Sequence, residues 1–126
     1  MLRKISYGLL CAGALFSTTT IAMTHELAPR VSIEYELNAN VPEVFTNYTI
    51  FTVNATCTVK SQDESNIIHV KALNRSGSIN GKDINAGDEL DLVVKNNDTF
   101  TLSAKSAAKV EMTNTGAHSL KALCRT

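Results

Sequence analysis

The chain has 126 residues, 44% of them hydrophobic, and its 12 basic and 12 acidic residues give a formal net charge of zero. This length suits one domain with a modest core. The balanced charge offers no electrostatic footprint for nucleic acid or for an anionic membrane, and the sequence has no apolar run long enough to predict a retained membrane anchor.

Residues 1–22 have the three parts of a secretory signal peptide. Arg3 and Lys4 supply the positive start, an apolar centre runs from about Leu9 to Phe16, and Thr20-Ile21-Ala22 ends the segment with small residues at the positions that a signal peptidase reads. We therefore predict cleavage after Ala22, with Cys11 discarded. The short, Lys/Arg-led signal is typical of bacterial export.

Cleavage leaves 104 residues with 10 basic and 12 acidic side chains, because Arg3 and Lys4 are removed. We expect residues 23–30 to be a flexible leader and residues 31–126 to be a single domain. Cys57 and Cys124 are the two cysteines that remain, so they predict one disulfide in an oxidising place, either the periplasm or the cell exterior.

Apolar residues alternate with period two through most of the domain, which is typical of half-buried strands. Val31 to Leu37 shows this pattern first, and Phe51 to Val59 shows it most clearly, with Thr52, Asn54, Thr56 and Thr58 on the opposite face. The stretch between them, Val41 to Ile50, keeps no single phase. A bulge or an irregular loop is expected there.

Further alternating segments follow at intervals of eight to twelve residues. Asn80-Gly81, between Ile79 and Ile84, is the preferred pair for a type I′ hairpin turn, since both positions need a positive φ. The other predicted strands are Ile68–Ala72, Leu90–Val94, Phe100–Ala104, Ala108–Met112 and Leu120–Cys124.

Seven to eight short strands without a helix predict an antiparallel β-sandwich of the immunoglobulin-like kind, and a small closed β-barrel is the alternative. The domain has no tryptophan to pack on the disulfide, and Ala122 stands where a tyrosine corner would have its tyrosine. The resemblance therefore ends at the architecture, which says little about activity.

Catalytic motifs are not evident in the sequence. It has no G-x-S-x-G elbow and no C-x-x-C pair, and the spacing in "GSINGK" does not fit a phosphate loop. His69 and His118 are expected on the surface. We predict that the protein is not an enzyme, with a site assembled from these histidines and acidic turns as the remaining enzymatic hypothesis.

One metal hypothesis depends on the cleavage site. A mature chain that begins Met23-Thr24-His25 could bind Cu(II) in a square plane through the Met23 amine, two backbone amides and the His25 imidazole. Periplasmic copper handling is therefore the alternative function, and no other cofactor is expected.

The leading functional hypothesis is an exported, non-enzymatic binding module whose partner is an unknown protein or an envelope or host surface. Binding residues concentrate on loops held by a rigid scaffold. The predicted contact residues are Tyr48, Asp63, Glu64, Asn80 and Gly81. Two rows of hydroxyl side chains, one from Thr52 to Thr58 and one from Thr99 to Ser103, are expected to be solvated strand faces.

Overall fold

A computed structural model describes residues 23–126, and the predicted signal peptide lies outside the described residues. The described chain is all β. Its eleven strands are β1 (Met23–Glu26), β2 (Ser32–Leu37), β3 (Pro42–Thr46), β4 (Val53–Ser61), β5 (Asn66–Asn74), β6 (Ser76–Ile79), β7 (Lys82–Asn85), β8 (Glu89–Val94), β9 (Thr99–Ala104), β10 (Lys109–Asn114) and β11 (Leu120–Arg125). None of the described residues belongs to a helix that could cross a membrane.

The strands form two sheets packed as a β-sandwich, which confirms the predicted fold class and excludes the barrel alternative. One sheet has six strands in the order β2-β11-β4-β9-β6-β7, and the other has five in the order β1-β3-β10-β5-β8. All pairs of neighbouring strands are antiparallel except β1 and β3, which run parallel.

Almost every connection passes from one sheet to the other. Between β1 and β11, only β6 and β7 are consecutive strands in the same sheet. Their turn is the predicted one, since Asn80 and Gly81 have φ values of 49° and 80°, as a type I′ turn requires. The fold therefore depends on pairings between residues far apart in sequence.

The core lies between the sheets and consists mainly of the residues predicted to point inward. Val59, Ile68 and Val70 are fully buried. Two predicted positions are wrong: Ile33, on the edge strand β2, is 36% exposed, and Phe51 is 68% exposed because β4 begins only at Val53.

The N-terminal segment differs from its prediction. Met23–Glu26 pairs with β3 as an edge strand, and Leu27 is buried in the core, although the sequence predicts a flexible leader over residues 23–30. Two described strands were not predicted. β1 lies in the segment expected to be a leader, and β3 lies in the stretch Val41 to Ile50, where a bulge or an irregular loop was expected; its consecutive residues Glu43 to Thr46 are all buried, so they show no alternation.

The predicted disulfide between Cys57 and Cys124 is present. The two residues face each other directly on the neighbouring strands β4 and β11, with their Cα atoms 3.9 Å apart. The bond therefore joins two strands of one sheet, whereas the bridge of antibody domains joins the two sheets. Thr126, which follows β11, also ties the end of the chain to the segment before β2, because its hydroxyl donates to the carbonyl of Ala28.

Candidate functional site

Within residues 23–126, the densest group of exposed large apolar side chains lies in the segment Asn47–Thr52, which connects β3 to β4 and is called the β3–β4 loop below. Three of its large apolar side chains point into solvent: Tyr48 is 64%, Ile50 83% and Phe51 68% exposed. Single exposed apolar residues are ordinary on protein surfaces, but a contiguous group marks a candidate interaction site.

A buried asparagine holds the loop in shape. The side chain of Asn47 is completely buried, and its Nδ2 donates to the carbonyls of Phe51 at 2.7 Å and of Ala104 at 2.9 Å. Its Oδ1 accepts from the Thr49 backbone N–H at 2.9 Å and from the Thr49 hydroxyl at 2.6 Å. Asparagine commonly forms such turns because its short amide mimics a backbone group.

The neighbouring turn between β9 and β10 is joined to the loop by hydrogen bonds. The Ser106 hydroxyl donates to the Thr49 carbonyl at 2.7 Å. Backbone hydrogen bonds also join Asn47 to Ala107 and Ala108. The β3–β4 loop is therefore preformed, and its apolar side chains project from a fixed backbone.

Three basic residues lie on the turns next to this loop. Lys105 and Lys109 flank the β9–β10 turn, and Arg75 follows Asn74, whose amide donates to the Ala107 carbonyl. All three are exposed. The four ion pairs found within residues 23–126 are formed by histidines and include none of these three cations.

The predicted contact residues do not form one surface. Tyr48 lies before the start of β4, whereas Asp63 and Glu64 lie after its end. The strand between them has nine residues and is about 30 Å long. Asn80 and Gly81 lie between the two ends of β4. The Oδ1 atom of Asn80 accepts from the N–H of Thr101, which pairs with Thr56 in the middle of β4. Of the predicted set, the β3–β4 loop contains only Tyr48, and Ile50 and Phe51 are the neighbours that the sequence analysis did not select.

His69 and His118 have separate carboxylate partners. His69 contacts Asp91 through Nδ1 at 2.9 Å and Glu89 through Nε2 at 2.7 Å, and these hydrogen bonds raise the pKa of His69 above its usual value. His118 contacts Asp63 at 3.0 Å. No hydrogen bond of the described structure connects the two histidines, so the enzymatic hypothesis gains no support from their geometry.

His25 lies in β1, and its imidazole packs inward. Nε2 is 2.6 Å from Oε1 of the buried Glu43, and the ring stacks on Phe45 and meets the edge of Tyr35 at centroid distances of 5.0 and 5.1 Å. Burial also raises the pKa of Tyr35. Copper binding through the Met23 amine and His25 stays a prediction, and it would require β1 to detach from β3 and His25 to release Glu43.

The described part of the chain offers little for a metal ion or for a ligand inside its core. It contains no cluster of three or more His, Cys, Asp or Glu side chains that could hold a metal ion. The gap in the core beside Leu27 and Val31 has a volume of about 20 Å³, which is enough for about one water molecule. The two hydroxyl rows form one flat polar face, since Thr56 pairs with Thr101 and Thr58 with Thr99.

Comparisons with protein families, curated proteins and solved structures find no match to this chain. Functional inference therefore depends on the geometry of the chain itself.

Proposed function

We propose that the protein is an exported, non-enzymatic binding module and that the β3–β4 loop is its contact surface. The single observation that supports this proposal best is the exposure of Tyr48, Ile50 and Phe51 on a loop whose backbone is fixed by Asn47. A flexible loop with the same residues could turn them toward the protein surface, but this loop holds them outward.

The energetics favour a partner that covers the loop. Full burial of one large apolar side chain contributes about 1.5–3 kcal/mol, so covering these three partly exposed residues would contribute roughly 3–6 kcal/mol. Association has an entropic cost, and ordering a mobile loop would add to it. The hydrogen bonds from Asn47 and Ser106 order the loop before binding, which removes that additional cost.

Export is supported by two features of the chain. Residues 1–22 have the pattern of a signal peptide, and the Cys57–Cys124 disulfide is compatible with an oxidising compartment. Periplasmic and extracellular sites both satisfy these requirements.

Site-specific photo-crosslinking in the exporting cell tests the proposal. A photoreactive amino acid is placed at Ile50 and, as the matched control, at Val93, an apolar residue of β8 that is 60% exposed. We expect discrete crosslinked products, to protein or lipid, from position 50 and none from position 93. Equal labelling at both positions, or none at position 50, would show that the loop is not the contact surface.

A further inference from the structure

We propose that the β3–β4 loop inserts into a lipid surface that carries anionic headgroups. This inference rests on the proposed function and specifies its partner. It concerns reversible docking of a folded domain, with Tyr48, Ile50 and Phe51 entering the interface and Arg75, Lys105 and Lys109 contacting headgroups.

The apolar part of the loop has a composition suited to the membrane interface. Ile50 and Phe51 are the aliphatic and aromatic residues that enter the acyl boundary, and Tyr48 has an apolar ring with a hydroxyl that can stay among the headgroups. The three side chains are exposed by about two-thirds or more. They project from one end of the sandwich, where β3 ends and β4 begins, so nothing in the neighbouring sheets has to move for them to enter a bilayer.

Part of the backbone of the loop is also prepared for a medium of low polarity. An unpaired N–H or C=O is costly in lipid, but the Thr49 N–H and the Phe51 carbonyl both bond to the Asn47 side chain. The Thr49 carbonyl accepts from Ser106, and the Phe51 N–H donates to the Thr49 hydroxyl. These four groups of Thr49 and Phe51 are therefore satisfied within the protein. The N–H and C=O groups of Tyr48 and Ile50 have no hydrogen bond within residues 23–126, so they have to remain at the level of the polar headgroups.

The basic residues on the turns beside the loop favour anionic over neutral lipid. Arg75, Lys105 and Lys109 come from two turns beside the loop, and none of them forms an ion pair within residues 23–126. Three acidic residues also lie toward this end of the sandwich: Asp88, whose Oδ2 accepts from the Asn85 N–H, Asp83, which lines a groove with Thr52 and Lys105, and Glu26, which pairs with Thr46. Lys109, in contrast, lines a groove with Tyr48 and Ile50. Each basic residue near an anionic surface strengthens binding about fivefold, although the net charge of the whole chain predicts no such attraction.

Cosedimentation of the purified protein with vesicles tests the inference. The probes are large unilamellar vesicles of phosphatidylcholine alone and of phosphatidylcholine with about one-third phosphatidylglycerol, at a salt concentration of about 0.1 M, where the screening length is about 10 Å. We expect binding to the anionic vesicles at least tenfold tighter than to the neutral ones. Raising the salt concentration should weaken it.

Variants separate the apolar and the basic contributions. I50S/F51S should weaken binding to anionic vesicles roughly tenfold or more, and K105A/K109A should weaken it roughly tenfold or more. The controls are V93S, which removes an exposed apolar residue elsewhere, and K82A/K95A, which removes two exposed lysines elsewhere. Both controls should bind within about twofold of the unchanged protein, a difference of about 0.4 kcal/mol.

Three results would overturn the inference. The first is absence of vesicle binding, or binding equally reduced by V93S and I50S/F51S. The second is a dimer in solution that I50S/F51S converts to a monomer, since a second copy would then cover the loop. The third is crosslinking of position 50 to a protein without vesicle binding, which would leave the proposed function intact and exclude lipid as the partner.

Discussion

The side chain of Asn47 is fully buried at the base of an exposed loop, and it donates to the carbonyls of Phe51, just before β4, and of Ala104, at the end of β9. Its two donors and its acceptor are matched by the carbonyls of Phe51 and Ala104 and by the N–H of Thr49. Buried polar groups without partners cost free energy. The conformation of the loop therefore depends on the Asn47 side chain, and the buried Asn47 amide depends on the loop for its hydrogen bonds.

Replacement of Asn47 by alanine tests this dependence. Asn47→Ala leaves these carbonyls and the Thr49 N–H without their partner, so we expect a loss of about 3 kcal/mol in the free energy of unfolding. Asn54→Ala is the matched control, since Asn54 is exposed on β4, and it should change stability by less than about 0.5 kcal/mol. Urea denaturation measures both, and similar losses in the two variants would contradict the role given to Asn47.

His69 predicts a small dependence of stability on pH. Its folded-state pKa is raised by Asp91 and Glu89, so its stabilising contribution is complete below the unfolded pKa of about 6.5. The contribution is lost as pH rises through the higher folded value. The group is exposed, and Lys71 of the same strand lies opposite Glu89, so we expect only about 0.2–1 kcal/mol.

The measurement compares the unchanged protein with His69→Gln from about pH 5.5 to pH 8.5, a range that spans the ordinary histidine pKa. The stability advantage of the unchanged protein should be larger at the acidic end and should diminish as pH rises. A constant difference between the two proteins across this range would contradict the assignment.

At the scale of the elements, the pairing of β6 with β9 requires a glycine. A Cβ atom added to Gly77 would lie 2.1 Å from the carbonyl oxygen of Ser103, which belongs to β9. The backbone of β6 can therefore approach β9 only where no side chain intervenes.

Gly77→Ala should separate these two strands locally and lower the free energy of unfolding by about 1–3 kcal/mol, as overpacking does. Ser76→Ala in the same strand is the control and should have less than half of that effect. Thermal and urea denaturation provide the measurement. A Gly77→Ala protein as stable as the control would show that β6 and β9 have room to adjust.

Some strands can be predicted from the sequence and others cannot. The strands from Val53 to Val59 and from Ile68 to Ala72 were predictable because alternation identifies a buried face, and Asn80-Gly81 identified its turn. β1 was not predictable, since it is four residues long and pairs with the distant β3.

The candidate site was only partly predictable. Tyr48 was selected as exposed, but Phe51 was assigned to the following strand because it has the phase of Val53. The signal that could have corrected this is Asn47, an asparagine that follows β3 and can close a turn with Thr49. The cluster of Arg75, Lys105 and Lys109 has no sequence signal, because folding alone brings the two turns together.

At the scale of the whole molecule, the topology makes the disulfide important. Consecutive strands other than β6 and β7 alternate between the sheets, so few contacts form locally and the chain must close long loops before it gains stability. Cys57 and Cys124 are 67 residues apart and face each other on paired strands. The bond fixes β11 to β4 at the centre of the six-stranded sheet.

Reduction of this bond should lower the free energy of unfolding by about 4 kcal/mol on the loop-entropy estimate, a large fraction of the 5–15 kcal/mol typical of a domain. Cys124→Ser should have a comparable effect. C57A/C124A is the control that separates the loss of the crosslink from the introduction of polar groups. Equal melting of the oxidised and reduced proteins would contradict this role.

The proposed contact surface requires an apolar loop that is rigid before it meets a partner, and backbone ¹⁵N relaxation of the free protein measures this rigidity. We expect order parameters for residues 48–51 near 0.85, as in the strands, and values below about 0.6 in Asn47→Ala. Order parameters below about 0.6 in the unchanged protein would contradict the account, because the loop would then not present Tyr48, Ile50 and Phe51 in a fixed arrangement.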